Sequence, residues 1–237
     1  QLPTNRFDAP ARKVHELVPL FENPTVIRAA ASLGDVPLVP IALETPPGIW
    51  YDLGGTEYRR SELSWQEAER PMARVAMAAD YASLRIDILV RTPHVHFAPP
   101  CDENPLDNEH PDTNSDGAQL YIGTPSWNAS WILVPEPAAS RVRITPRDLP
   151  KELTIHVRAS ATHNSTGWQM RISIPRDTLP RRGSALFSLD LIVNLTAPGR
   201  ERRQGQLVLS GGRGEWTYLR GDRQDADRAL PFVIVDE

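Results

Sequence analysis

The residues with the densest chemistry lie near the C-terminus. In Gly211-Gly-Arg-Gly-Glu-Trp-Thr-Tyr-Leu-Arg-Gly-Asp-Arg, glycines free the backbone around an aromatic and charged cluster. Trp216 and Tyr218 offer flat apolar faces. Glu215, Arg220, Asp222 and Arg223 offer forked donors and acceptors that match pairs of hydroxyls. That mixture suits a sugar ring, with its C–H face and its equatorial hydroxyls. The plainer reading is that Trp216 and Tyr218, two apart on one strand face, belong to the core. Arg220-Gly-Asp222 also spells a cell-adhesion tripeptide, which we read as chance.

A second cluster is acidic. The stretch from Cys101 to Gly117 carries Asp102, Glu103, Asp107, Glu109, Asp112 and Asp116. Within it, Asp112-Thr-Asn114-Ser-Asp116-Gly117 places oxygen ligands at alternate positions before a glycine, the pattern that curls around a hard cation. Asp112, Asn114 and Asp116 are therefore expected to hold a structural calcium. The twelfth position is Gly123, so this is not an EF-hand. A solvated acidic loop is the alternative. His94 and His96 share a strand face and are read as surface residues, because no third metal ligand is placed with them. Trp127 and Trp131 flank Asn128-Ala-Ser130 and either add a stacking platform or pack inward. Asn128, Asn164 and Asn194 begin sequons that matter only in a eukaryotic secreted chain. No nucleophile elbow, Walker loop or H-E-x-x-H motif is present, so no enzyme is expected. Gly199-Arg-Glu-Arg-Arg-Gln-Gly205 reads as a solvated hairpin tip; if functional, its guanidinium forks would favour anionic sugars such as uronates.

Composition bounds what can position these groups. The chain has 237 residues, 40% of them hydrophobic and 24% charged, enough for a real core. Its 23 prolines against 14 glycines exclude long helices and coiled coils, since proline interrupts helix interiors and central strands. All basic residues except Lys13 and Lys151 are arginine, a skew that fits a GC-rich genome. The net charge of −4 argues against general nucleic-acid binding. The single cysteine, Cys101, cannot close an intrachain disulfide. With no initiator Met, leader or membrane-spanning run, the chain reads as a processed mature protein or a module of a larger one.

Period-two patterning then predicts strands. Arg74–Ala78 and Leu84–Val90 alternate about a turn at Asp80-Tyr81 and form a hairpin. Further strands are predicted at Ala118–Ile122, Ser130–Val134, Val142–Ile144, Leu153–Ala159, Trp168–Ile174, Leu186–Leu195, Gln206–Leu209 and Phe232–Val235. Turn residues such as Asp116-Gly117, Pro125, Pro146 and Thr166-Gly167 bound them. A single helical turn is expected near Arg176–Leu179, and a short helix over Arg12–Phe21. Val36–Leu43 is at best an edge strand, because of Pro37 and Pro40. Trp50-Tyr51 and Trp65 are assigned to edge or core packing. The fold class is all-β: a two-sheet antiparallel β-sandwich, jelly-roll or immunoglobulin-like. Residues 1–44 form an N-terminal arm packing on it, and residues 45–237 the sandwich itself.

Four segments carry a resemblance. Ala79-Asp-Tyr-Ala-Ser-Leu-Arg-Ile-Asp-Ile-Leu-Val looks like a display hairpin, and Ser115-Asp-Gly-Ala-Gln-Leu-Tyr-Ile-Gly like a D-S-V-E-I-F-I-D strand. Thr166-Gly-Trp-Gln-Met-Arg-Ile-Ser-Ile-Pro looks like G-Y-x-x-E-x-x-I-P, and Phe187-Ser-Leu-Asp-Leu-Ile-Val-Asn like I-G-F-D-V-x-V-N-D. In this order they resemble the family 9 carbohydrate-binding modules and the wider DOMON-like sandwich group, over roughly residues 45–237. The resemblance implies a non-catalytic, extracellular or periplasmic bacterial sugar binder, often appended to a larger protein and often carrying structural calcium. It implies two aromatics gripping the sugar, one from the loop before the D-S-V-E-like strand and one from a loop near the C-terminus. The second matches Trp216 with Tyr218; the first has only Phe97, and Gln119 stands where the strand has its acid. The group also contains haem-binding electron-transfer domains. By that alternative Met72, Met77 or Met170 would pair with a histidine at a haem, which no spacing singles out. A purely structural module is the remaining alternative.

Overall fold

Alternating apolar and polar residues build two sheets in the computed structural model. It describes residues 38–40, 50–100, 103–104, 109–136, 140–152, 154–179, 187–212, 217 and 229–235. The strands are β1 (Leu38–Pro40), β2 (Trp50–Leu53), β3 (Tyr58–Arg60), β4 (Met72–Ala79), β5 (Ser83–Arg91), β6 (Gly117–Gly123) and β7 (Asn128–Pro135). They continue as β8 (Val142–Asp148), β9 (Arg158–Asn164), β10 (Gly167–Pro175), β11 (Phe187–Leu195), β12 (Gly205–Val208) and β13 (Leu230–Val235). One sheet runs β1-β13-β11-β6-β7-β8, with β12 beside the far half of β11 and β3 beyond β12. The other runs β2-β4-β5-β10-β9. The described pairs are antiparallel except β1 with β13, which is parallel. A single bridge, Arg141 to Ser160, links the β8 and β9 edges of the two sheets.

The inner faces meet in one apolar core. Leu84, Ile86, Ile88 and Val90 of β5 lie beside Trp168, Met170, Ile172 and Ile174 of β10. Across from them are Ala118, Leu120 and Ile122 of β6 with Leu189, Leu191 and Val193 of β11. Each such Leu or Ile contributes roughly 1.5–3 kcal/mol by leaving water. Phe187 and Phe232 stack at 6.0 Å at one end of this layer.

The outer faces differ sharply. That of the larger sheet is buried too: Ile132, Val134, Ile192 and Val208 have no exposure, nor do Asn194 and Gln206. Part of its cover is the long β5–β6 connection, whose 3-10 turn at Pro111–Asn114 packs on β7 and β11. The outer face of the smaller sheet is open over Asp52, Arg74, Gln169 and Arg171, which are exposed, while Ala76, Ala78 and Asp87 on the same face are buried. No helix among the described residues is long and apolar enough to cross a bilayer.

The predicted strands recur with three instructive differences. The strand expected at Leu153–Ala159 is β9, at Arg158–Asn164. The Ser165-Thr166 turn pairs Asn164 with Gly167 and so sets the register from β10, whatever the local apolar pattern. Pro146, expected as a boundary, lies inside β8. It is tolerated because β8 edges its sheet and the ladder with β7 is irregular beside Trp131. Trp50–Leu53 and Tyr58–Arg60 form short edge strands that their sequence did not announce. The expected turn after Pro175 is a 3-10 turn at Arg176–Thr178. Leu38–Pro40, from within the arm, pairs with the sheet edge as β1. The helix expected over Arg12–Phe21 lies outside the described residues.

Candidate binding site at one end of the sandwich

β5 leaves the smaller sheet at Arg91, and β6 enters the larger one at Gly117 next to the exit of β11. The loop between them is stitched to this end through Asp116. Its Oδ2 accepts from the His96 amide (3.0 Å) and its Oδ1 from the Thr196 amide (2.7 Å). Ser115 Oγ accepts from the Ala98 amide (2.9 Å). Burial pushes the Asp116 carboxyl up from 3.8 to about 7, against the pull of its two backbone donors. On the same end, Ser61 Oγ donates to the Arg203 carbonyl (2.5 Å) and the Ser61 amide to the Gln204 carbonyl (3.3 Å). Thr217, fully buried, donates its hydroxyl to the Arg60 carbonyl (3.2 Å) next to them.

Beneath this end a polar network crosses the outer face of the larger sheet. Arg147 Nη1 donates to Gln119 Oε1 (3.1 Å), as does Tyr121 OH (2.7 Å). Guanidinium only donates, so the Gln119 amide has one orientation: its Nε2 must face Asn194 Oδ1, at 2.9 Å. Gln206 Nε2 reaches the same oxygen at 3.0 Å. Asn194 Nδ2 remains a buried donor with no hydrogen-bond partner among the described residues. Arg147 also pairs with Glu109 across the loop. Further along the face, Asp190 accepts from the Leu191 and Ser210 amides and from Ser210 Oγ (2.6 Å). Its burial raises it to about 6, the Ser210 and Leu191 hydrogen bonds and the Arg59 charge acting in the opposite sense.

The residues expected to do chemistry separate into groups. Glu215, Trp216, Tyr218, Arg220, Asp222 and Arg223 lie outside the described residues; Thr217, between Trp216 and Tyr218 in the chain, is described. Phe97 is at the same end as Thr217, half-buried, and packs edge-on against His163 (5.3 Å) and Trp168 (6.5 Å). Trp127 is not brought to it. It sits in the β6–β7 hairpin, at the opposite end of β6, where its amide donates to Thr124 Oγ1 (3.0 Å). Trp131 points into the core.

Asp112, Asn114 and Asp116 do not fit a shared calcium. Both Asp112 oxygens face the Arg143 guanidinium (2.6 Å at the closest), and one also accepts from Thr145 Oγ1. Asn114 Oδ1 accepts from Arg203 Nη1 (2.8 Å), and Asp116 faces backbone amides. An arginine cation thus stands at Asp112 where a metal would compete for the same lone pairs. No cluster of three His, Cys, Asp or Glu able to hold a metal occurs among the described residues. Met77 and Met170 are enclosed in the inter-sheet core, while Met72 is exposed. His94 lies on the surface near Glu69, with Nε2 3.7 Å from Oε1.

Sequence reasoning passed over Arg147 and Gln206, marked Asn194 only as the start of a sequon, and placed Arg203 in a solvated hairpin tip, whereas Arg203 and Gln204 are buried. For Asn194 and Gln206 the signal is a polar side chain at an outward strand position between buried residues, as in Ile192-Val-Asn-Leu.

This architecture, two antiparallel sheets with one outer face roofed in part by a long loop, is a β-sandwich. No family model matches the sequence, and no curated protein does. Among solved structures, a family 9 carbohydrate-binding module from Caldicellulosiruptor kristjanssonii in complex with cellotriose superposes with a TM-score of 0.56. The two are 12% identical over 84% of this chain and 93% of that one. The same organism's family 9 module in complex with glucose gives a TM-score of 0.53 at 11% identity, over 85% of this chain and 97% of that one. At such identities the likeness is one of fold.

Proposed function

We propose that this chain is a non-catalytic carbohydrate-binding module whose site lies at the Phe97–Thr217 end of the sandwich. The observation that carries the reading is the tether of Thr217. The hydroxyl of this buried residue, whose chain neighbours are Trp216 and Tyr218, is fixed on Arg60 at the end where the β5–β6 loop also arrives. Trp216 and Tyr218 supply stacking faces, and Glu215, Arg220, Asp222 and Arg223 bind hydroxyls. The sandwich fold shared with modules solved with cellotriose and glucose supports the ligand class. The two carboxyls with raised pKa, Asp116 and Asp190, are sealed from solvent and bonded to backbone amides, so neither is assigned a general-acid role. The module acts outside the cytoplasm, attached to or alongside a larger partner.

Calorimetric titration with glucose, cellotriose and a panel of neutral polysaccharides tests this. Binding to at least one, weakened tenfold or more in Trp216→Ala, is the expected result. Silence across the panel, or undiminished binding by the variant, overturns it.

A further inference from the structure

We infer that the open outer face of the smaller sheet is a second binding site, for an acidic polysaccharide bearing regularly spaced carboxylates. That the ligand is a polysaccharide rests on the function proposed above; the location and the charge preference rest on the face itself.

The strand registers place its outward residues in four successive rows. The first is Ala78-Arg85-Ser173-Arg158 and the second Trp50-Ala76-Asp87-Arg171-Ser160. The third is Asp52-Arg74-Leu89-Gln169-Thr162 and the fourth Met72-Arg91-Gly167-Asn164. Every row contains an arginine. Outward residues on one strand recur every second position, so the rows are ~7 Å apart. The result is a staggered ladder: the arginines climb the strand direction while shifting sideways, from β5 and β9 to β10, then β4, then β5.

Among the described residues, five arginines (Arg74, Arg85, Arg91, Arg158 and Arg171) share this face with two acids, Asp52 and Asp87, although the whole chain has a net charge of −4. The acids are already engaged. Asp87 is held between Arg85 (3.2 Å) and Arg171 (2.6 Å), and Asp52 by Arg74 (2.8 Å). Arg91 and Arg158 are exposed at the two ends of the ladder.

The face is also grooved. A cavity of about 510 Å³ runs from Trp50 past Asp87 and Arg171 to Ser140 and Ser160. A second, of about 320 Å³, continues it from Leu89, Gln169 and Thr162 to Arg91 and Asn164. Each is within the size range of small-molecule sites, and the two lie side by side, with Leu89, Thr162 and Gln169 lining both. Arg74 lies over the Trp50 ring at 5.1 Å, so the groove wall combines an aromatic with a planar cation. Gln169 and Thr162, joined at 2.7 Å, supply hydroxyl-binding groups at its centre.

A repeating row of fixed cations meets a polymer with a repeating anion, and guanidinium forks match carboxylates bidentately. A neutral chain would offer these donors hydroxyls but no charge pairing, the stronger of the two interactions. Single-stranded nucleic acid needs a series of stacking platforms; among the described residues this face offers only Trp50.

The test uses the whole chain, with polygalacturonate as probe in affinity electrophoresis and calorimetry, and cellotriose and oligo(dT) for comparison. The expected result is polygalacturonate binding that falls steeply with salt and drops at least tenfold in the double variant Arg158→Glu/Arg171→Gln. Both residues are exposed and outside the core, and circular dichroism checks that the variant is folded. Binding of neutral sugars at the Thr217 end should be unchanged in that variant. Polygalacturonate binding that survives the double substitution overturns the inference, as does its absence in a protein that still binds neutral sugar. Tighter binding of oligo(dT) than of polygalacturonate overturns it as well. Failure with both sugar classes overturns the proposed function too, whereas failure with polygalacturonate alone leaves that function standing.

Discussion

Asp190 and Asp116 are carboxyls sealed under the larger sheet's cover and at its end, and their chemistry makes stability depend on pH. Asp190 is raised by burial to about 6. A folded pKa above the unfolded one means that the native state holds the proton more tightly. The stability this confers is therefore full below the ordinary value near 3.8 and is lost as pH rises through about 6. In Asp190→Asn the amide oxygen can still accept from the Leu191 and Ser210 amides, and its NH2 can donate to Ser210 Oγ. The melting temperature of that variant, followed from pH 4 to 8, should lose much of the fall between pH 4 and 6. The fall from Asp116, whose shift is the larger and which runs on to about pH 7, should remain. An unaltered profile would show that Asp190 is not the titrating group. Asp112 poses a different problem: its carboxylate neutralises Arg143 beneath the loop. Asp112→Ala leaves that guanidinium part-buried without its partner and should cost ~3 kcal/mol. Faster proteolysis near Pro111–Asn114 than in the parent would localise the loss.

Elements show how far local pattern reaches. The β4–β5 and β6–β7 hairpins, β10 and β11 were legible because one face of each is apolar at period two and their ends carry turn residues. The Asp80 turn is even legible in mechanism: its Oδ1 accepts from the Ala82 and Ser83 amides at 2.7 and 2.6 Å. β2, β3 and β9 were not legible, since each is short or largely exposed and exists through the ladder a neighbour offers. The β9–β10 turn depends on Gly167, where an added Cβ would overlap the Val90 carbonyl oxygen of β5. Gly167→Ala should therefore cost about 2–3 kcal/mol by prising β10 from β5. Denaturant unfolding measures this; a loss below 0.5 kcal/mol would mean that the strands separate freely at that end.

For the whole molecule, asymmetry matters most. One sheet is buried on both faces and the other is open over much of its outer face, so a loop-built end and a sheet face are available for separate contacts. The edges matter as well. β1 lies parallel on β13 and covers its otherwise unpaired backbone from Val233 to Val235. Removing residues 1–40 should bare a hydrophobic edge, lower the melting temperature and promote concentration-dependent association. Light scattering over a dilution series would detect it, and a monodisperse, equally stable truncated chain would assign β1 no such role.

The amino-acid sequence by itself determined the all-β class, most strand positions and the residue types of an aromatic and charged C-terminal stretch. Those follow from local periodicity and turn chemistry, which need no partner strand to be read. Only the tertiary structure decided that Asp112, Asn114 and Asp116 face Arg143, Arg203 and backbone amides rather than one cation. It alone placed Phe97 and Trp127 at opposite ends, and it alone aligned Arg85, Arg158, Arg171, Arg74 and Arg91 into a ladder. The physical reason is common to all three. Side chains from distant strands meet through sheet register and through the path of a long connection, and both are set by pairing across the fold rather than by neighbours in the chain.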